Sequence, residues 1–148
     1  MDFAPKDPNF QQKVKDSFRR QRFMELIGAE LTSIEAGYCE IRLPYREDLT
    51  QQHGFFHAGV VGTLADNAAG YAGFSLMEAN ASVLTVEFKL NLLAPGKGEV
   101  LLAKAQVLKS GRTLSVCRCD IYAVNEGKEK LCAAAQVTLI QLENTSDS

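Results

Sequence analysis

The pattern of apolar and polar positions changes period along the chain. Between about Asn9 and Ile27, Phe10, Val14, Phe18, Phe23 and Leu26 recur at roughly helical spacing with charges between them, which predicts one amphipathic helix. Asn9 is placed to cap its start and Gly28 to end it. The period then falls to two. In "AELTSIEAGYCEIRLPYRED", Leu31, Ser33 and Glu35 alternate with Thr32, Ile34 and Ala36, the chain turns at "AG", and Tyr38, Glu40 and Arg42 alternate with Cys39, Ile41 and Leu43. Pro44 stops this second strand or places it at an edge. Residues 46–56 read as a loop.

A different pattern follows from about Ala58 to Met77: a long apolar run, rich in Ala and Gly, with the single charge Asp66. It is too long for a strand and too rich in Ala for anything but a helix. A surface helix would carry a charged face, so this one is predicted to be buried. "SVLTVEFKLNLLAP" returns to strict alternation, with Val86, Phe88, Leu90 and Leu92 on one face and Thr85, Glu87, Lys89 and Asn91 on the other. Three more strands are predicted over 99–109, 113–124 and 130–142, separated by "SG" and "NEGK" turns. The order is helix, two strands, buried helix, four strands. That order predicts an α+β fold in which an antiparallel sheet wraps one long central helix, with a further helix at the N-terminus. The 148 residues fit one domain, with a core over about 23–142 and flexible ends at 1–8 and 143–148.

Composition narrows the function classes. The net charge of −2 comes without a basic stripe, which argues against nucleic acid as a partner. The four cysteines, Cys39, Cys117, Cys119 and Cys132, have no metal-ligand spacing, and they read as buried free thiols of a reducing compartment. The first residues carry no secretory signal pattern, so a cytoplasmic location is expected. Membrane insertion of the 58–77 run is disfavoured, because an Asp at mid-span costs about 2.5–3.5 kcal/mol and Gly and Ala offer little in return. No metal or cofactor is expected.

The chemistry concentrates in "QQHGFFHAG", residues 51–59, which holds both histidines, and in Asp66. A carboxylate on an uncharged helix is costly unless it is paired or functional, so Asp66 is a candidate general base or nucleophile; the alternative is a local hydrogen bond to backbone or to Asn67. His57 stands at the helix entrance, while His53 reads as a solvated loop residue. The helix start offers unpaired N–H groups, and Ala58 or Gly59 is a candidate donor to an oxyanion. Equally, Gly54 and Gly59 simply permit the sharp entry. His57 and Asp66 are nine residues apart, two and a half turns, hence on opposite helix faces. Either one of them is idle or a second chain completes the site.

"HAGVVGTLAD", "TVEFKLNLLAP" and "KSGRTL", in this order, resemble the hotdog-fold thioesterases of the branch related to the phenylacetate-pathway enzyme. The resemblance spans about residues 23–141. It implies an antiparallel sheet around one long helix, a homodimer with the site at its interface, pairing of dimers into tetramers, and acyl-coenzyme A substrates. Position by position it implies that Asp66 activates water or attacks the thioester, and that His57-Ala58-Gly59 is the family's His-Gly-Gly turn with Ala in place of the first Gly. It places Gly54 at a family glycine, Gln51 at a position usually held by a carbonyl-polarising Asn, and Thr85 at a Ser/Thr that holds the water. Gly111, Arg112 and Thr113 fall near the nucleotide of coenzyme A, with Lys109, Lys89 and Lys97 as rival phosphate ligands and Asn91 beside them. Two other readings stand next to hydrolysis: an enoyl-CoA hydratase or dehydratase, and a non-catalytic acyl-CoA sensor. Phe55, Phe56, Tyr71, Phe74 and Leu76 are candidates for the acyl pocket.

Overall fold

The computed structural model describes residues 2–147. Two short helices, α1 (Phe10–Arg20) and α2 (Arg22–Ile27), lead into the hairpin β1 (Glu30–Glu35) and β2 (Tyr38–Pro44). A loop containing one turn of 3-10 helix at Glu47–Leu49 enters the long helix α3 (Ala58–Phe74). Four strands follow: β3 (Ser82–Leu92), β4 (Val100–Ser110), β5 (Leu114–Asn125) and β6 (Lys128–Leu142). They form one six-stranded sheet in the order β1-β2-β4-β5-β6-β3, and every neighbouring pair is antiparallel. The predicted α+β arrangement, a sheet wrapped around one helix, is the one observed. Among the described residues no helix is long and apolar enough to cross a membrane.

The small residues of α3 make the wrapping possible. Leu64, Ala65, Ala68, Ala69, Ala72 and Phe74 are wholly buried against Ile41, Leu101, Ala103, Ile121, Val137 and Leu139 of the sheet. A Cβ on Gly73 would fall 2.3 Å from Leu139 Cδ1, so helix and sheet meet there more closely than any side chain allows. The helix stops at Phe74 rather than Met77, although Leu76 and Met77 remain buried. Lys13 holds this end: its Nζ donates to the carbonyls of Met77 (2.9 Å) and Glu78 (3.0 Å) and lies 4.5 Å from the Phe74 ring centre.

Three expectations from the sequence are corrected. The single N-terminal helix is broken at Gln21, whose backbone is extended (φ −80°, ψ 98°). The break rotates the second segment, so Met24 and Ile27 enter the core while Phe23 (54% exposed) and Leu26 (68% exposed) face out. Asn9 precedes α1 but its side chain caps nothing; instead its N–H donates to Asp7 Oδ1 at 2.8 Å. Toward the ends of the chain, Asp7 is buried, Phe3 packs on the core beside Gly37, and Arg20 pairs with Asp147 at 2.6 Å. Met1 and Ser148 lie outside the described residues.

β3 carries the third correction. Its pairing with β6 slips between Thr85 and Glu87: Thr85 faces Leu139, and Glu87 faces Thr138. Leu139, Val137, Ala135 and Ala133 are core residues, so their partners Thr85, Phe88, Leu90 and Leu92 share the helix side. A perfect alternation would have turned Thr85 away with Glu87. The bulge at Val86 reverses that and aims Thr85 at α3.

All four cysteines are buried and free. Burial pushes each thiol up from its ordinary value, Cys117 to about 12. Below the unfolded thiol value of about 8.5 both states keep these protons, and above it the unfolded chain loses protons that the folded chain retains. Stability is therefore expected to be flat up to about pH 8.5 and to fall from there toward pH 12. Urea melts at pH 7.5 and pH 10 check this, and a chain with all four positions changed to Ala should lose part of the difference.

Candidate active site

The loop ahead of α3 is fixed by its own backbone. Gln51 N–H donates to Phe55 O and Gly54 N–H to Gln51 O, both at 2.9 Å. Gly54 sits at φ +78°, a conformation that side chains resist. Phe56 N–H reaches Gly96 O (2.9 Å) and His57 N–H reaches Leu49 O (3.0 Å), which pins the entrance of the helix. Gln51 Oε1 accepts from the His53 N–H, leaving the Gln51 Nε2 hydrogens without a protein partner among the described residues. His53 is exposed and tilts against the Phe55 ring, consistent with its reading as a loop residue.

His57 is the N-cap of α3. Its Nδ1 accepts a hydrogen bond from Gly59 N–H at 2.8 Å, which leaves Nε2 as the proton-bearing nitrogen of a neutral ring. The His57 carbonyl takes Val60 N–H (2.9 Å) and Val61 N–H (3.1 Å). Of the two amides the sequence offers as oxyanion donors, Gly59 is thus already engaged. Ala58 N–H, the first amide of the helix, has no partner among the described residues and carries the positive end of the helix dipole.

Asp66 lies halfway along α3, half-buried. Its Oδ1 accepts a hydrogen bond from Thr85 Oγ1 at 2.7 Å, a contact that exists because of the β3 bulge. Two cavities meet at the carboxylate. One is a groove of about 680 Å³ that runs past Ala58, Gly59 and Gly62 to Asp66 and Asn67, with Phe23, Met24, Phe88 and Leu90 as apolar walls. The other, of about 270 Å³, lies between α3 and the α1–α2 break and is lined by Ser17, Gln21, Tyr71, Thr85 and Asp147. Ala58 and Asp66 therefore open on one groove of a single chain, where the sequence placed His57 and Asp66 on opposite faces. They remain eight residues apart, about 12 Å along the axis, too far to act on one carbonyl.

The other sequence-derived positions are dispersed. Lys89 and Asn91 pair with Gln136 and Ala134 on the outer face of the sheet, beside Arg118, and do not meet Asp66 within the chain. Lys109, Arg112 and Thr113 are exposed around the β4–β5 turn, which Gly111 closes by donating to Leu114 O (2.8 Å). Of the acyl-pocket candidates, Phe55 and Phe56 line an apolar cavity of about 490 Å³ that also touches Gln51 and Ala58. Phe74 and Leu76 are core residues instead, and Tyr71 is buried but lines the smaller cavity beside Asp66. Gln21, Phe23 and Met24 border the site without having been singled out, and Asn67, named only as a hydrogen-bond partner for Asp66, bonds to Gln21 instead. Asn67 could have been read as the one carboxamide of α3, whereas the other three depend on the break at Gln21, which no periodicity announces.

Residues 53–130 match the model of the thioesterase superfamily. A thioesterase family protein from Silicibacter pomeroyi is 49% identical, covering 90% of this chain and 98% of that one, with a TM-score of 0.89. The PaaI protein of the E. coli phenylacetic acid degradation operon shares the fold at 22% identity, with a TM-score of 0.83 over 93% of this chain and 96% of that one. Human acyl-coenzyme A thioesterase 13 is 27% identical over 135 residues, 88% of this chain and 92% of that protein. The amide at the start of the buried helix and the carboxylate at its middle thus sit in a hotdog fold shared with these proteins, and the chain belongs to the thioesterase superfamily.

Proposed function

We propose that this protein hydrolyses acyl-CoA thioesters to the free acid and coenzyme A, in a site assembled from two copies of the chain. The observation that carries the reading is the pairing of a helix-start amide, Ala58 N–H, with a helix-borne carboxylate buttressed by Thr85. Thr85 spends its hydrogen on Asp66 Oδ1, so its oxygen and the free Asp66 Oδ2 are both acceptors for one water. Asp66 takes a proton from that water while its oxygen bonds to the thioester carbon. The carbonyl oxygen gains negative charge against Ala58 N–H of the partner chain, with Gln51 Nε2 as a second donor. Collapse of the adduct breaks the C–S bond, and the leaving thiolate recovers the proton from Asp66.

The separation along α3 supports a two-chain site, and so does β3. It is the end strand of the sheet, with one side unpaired, yet it exposes Leu84, Val86 and Phe88. An apolar free edge of this kind is ordinarily covered by a partner. In such a dimer, pairable into a tetramer, the coenzyme A phosphates would find Lys89, Lys109 or Arg112 from the neighbouring chain. Hydration of an enoyl-CoA is less well served. It needs an imidazole paired with an acid, and His57 Nδ1 is committed to Gly59 N–H while Asp66 is engaged with Thr85. The test is thiol release from short, medium, long and aromatic acyl-CoAs, followed with a thiol-specific chromophore. One thiol should appear per acid formed in at least one series. Tight binding without release from any of them would replace the enzyme by a sensor.

A further inference from the structure

Two cavities of opposite chemistry meet at Asp66, and the proposed hydrolysis gives a task to only one of them. The groove, walled by Phe23, Met24, Phe88 and Leu90, is the side from which a thioester reaches the carboxylate. The smaller cavity, about 270 Å³, presents the polar side chains of Ser17, Gln21, Tyr71 and Asp147. Thr85 lines this cavity and not the groove. A water held between Thr85 and Asp66 therefore stands on the polar side of the carboxylate. Gly70 keeps room there. It follows Asp66 by four residues, about one turn of α3, and lines the same cavity. A Cβ on Gly73 would collide with Leu139, whereas a Cβ on Gly70 would meet nothing within 4 Å. Glycine is a poor helix former, so Gly70 weakens α3 although no contact within the chain requires it. A water occupies about 30 Å³ in the liquid, so the cavity has room for several. Leu84 and Thr85 are exposed and leave it open along the free edge of β3, the edge that the proposed dimer covers. With the partner on that edge and an acyl-CoA in the groove, the water for each turnover has to be stored beside Asp66.

We propose that the polar cavity is the water store of the site, and that Gly70 is a positioning residue: by carrying no side chain it keeps the water on Asp66 Oδ2 and Thr85 Oγ1 joined to that store. The acyl-CoA and the water then approach Asp66 from different sides, the first through the apolar groove and the second from the polar cavity. This inference rests on the thioesterase reading, but it fails separately from it. A side chain placed at position 70 should act on the water and leave the thioester bound as before.

The series Gly70→Ala and Gly70→Leu tests it, with thiol release from hexanoyl-, decanoyl- and phenylacetyl-CoA and titration with the corresponding non-hydrolysable thioethers. Leucine fills the cavity, and kcat is expected to fall about ten- to a hundredfold, the size of effect that misplacing a reactant has, while Kd for each thioether stays within about twofold. Alanine takes less of the space and should lower kcat less, while raising Tm by a few degrees because it replaces a helical glycine. A protein that is more stable yet slower separates a displaced water from a damaged fold. Crystal structures add a readout that needs no turnover: ordered water on Asp66 Oδ2 and Thr85 Oγ1, continuing into the cavity, in the wild-type protein and lost in Gly70→Leu. Absence of turnover in the wild-type protein would overturn the thioesterase reading and leave that hydration result standing. A dry cavity or an unchanged kcat in Gly70→Leu overturns the proposal. So does a weakened Kd confined to the longer acyl chain, which would make the cavity the acyl end of the site. A changed oligomeric state of Gly70→Leu in sedimentation would give the space to the partner's helix and overturns it as well.

Discussion

Asp66→Asn is expected to lower kcat about a hundred- to ten-thousandfold, the usual contribution of a positioned general base, with KM changed far less. The substitution is chosen for what it preserves. Asparagine has nearly the same shape, and its carbonyl oxygen can still accept the 2.7 Å hydrogen bond from Thr85. The contact between α3 and β3 therefore survives. What is lost is the ability to take a proton from water. Steady-state thiol release together with a thermal melt separates the two effects: the melting temperature should stay within a few degrees of wild type while turnover collapses. Wild-type kcat in Asp66→Asn would remove the carboxylate from the chemistry and leave it as a strut between helix and strand. Asp66→Ala, by contrast, would leave Thr85 without its acceptor and mix a packing defect into the result.

The sequence made the frame of this site legible because the frame is written in periodicity. A run from Ala58 with one charge can only be a buried helix, and the clean alternations after Ser82 can only be strands, so the strand segments fall within a few residues of those observed. Asp66 stood out for the same reason, as the one ionised group where none belongs. The helix start was legible because His57 immediately precedes the run, in the position and with the hydrogen-bonding capacity of a cap.

Features that depend on interruptions of a period were not legible. The bulge at Val86 is one extra residue in an otherwise perfect alternation. The sequence alone assigns Thr85 to the outer face, and only the pairing with Leu139 returns it to Asp66. The break at Gln21 is similar. Gln is an ordinary helix former, no Gly or Pro marks the position, and the extended conformation goes with the burial of Met24 and Ile27 in the core. That one break exposes Phe23, carries Gln21 to Asn67 and shapes the groove wall. Distance was the third blind spot. Residue spacing gave the relation between His57 and Asp66 but not the groove that joins Ala58 to Asp66, because the walls at Phe88 and Leu90 come from a strand far along the chain.

Ala58→Pro should lower kcat about a hundred- to a thousandfold, because it deletes the amide at the helix start that has no partner among the described residues, and loss of a single oxyanion donor has effects of this size. Proline is well tolerated at this position. It is favoured as the first residue of a helix, where its missing N–H breaks no intrahelical bond. The residue before it, His57, already holds φ −62° and ψ 139°, the extended conformation that proline requires of its neighbour. The variant should therefore fold as the parent does, with the His57–Gly59 cap intact. It also decides whether the site is shared between chains. Ala58→Pro and Asp66→Asn are each nearly inactive, but in a two-chain site a mixed dimer contains one position where the intact Ala58 of one chain faces the intact Asp66 of the other. Co-expression in equal amounts with random pairing restores that combination in about a quarter of all sites, and activity should return to about that fraction of wild type. If Ala58 and Asp66 served one substrate within a single chain, every site in the mixture would still lack one of them, and activity would stay at the sum of the two residual rates. The approximately 12 Å of helix between the two residues makes recovery the expected result.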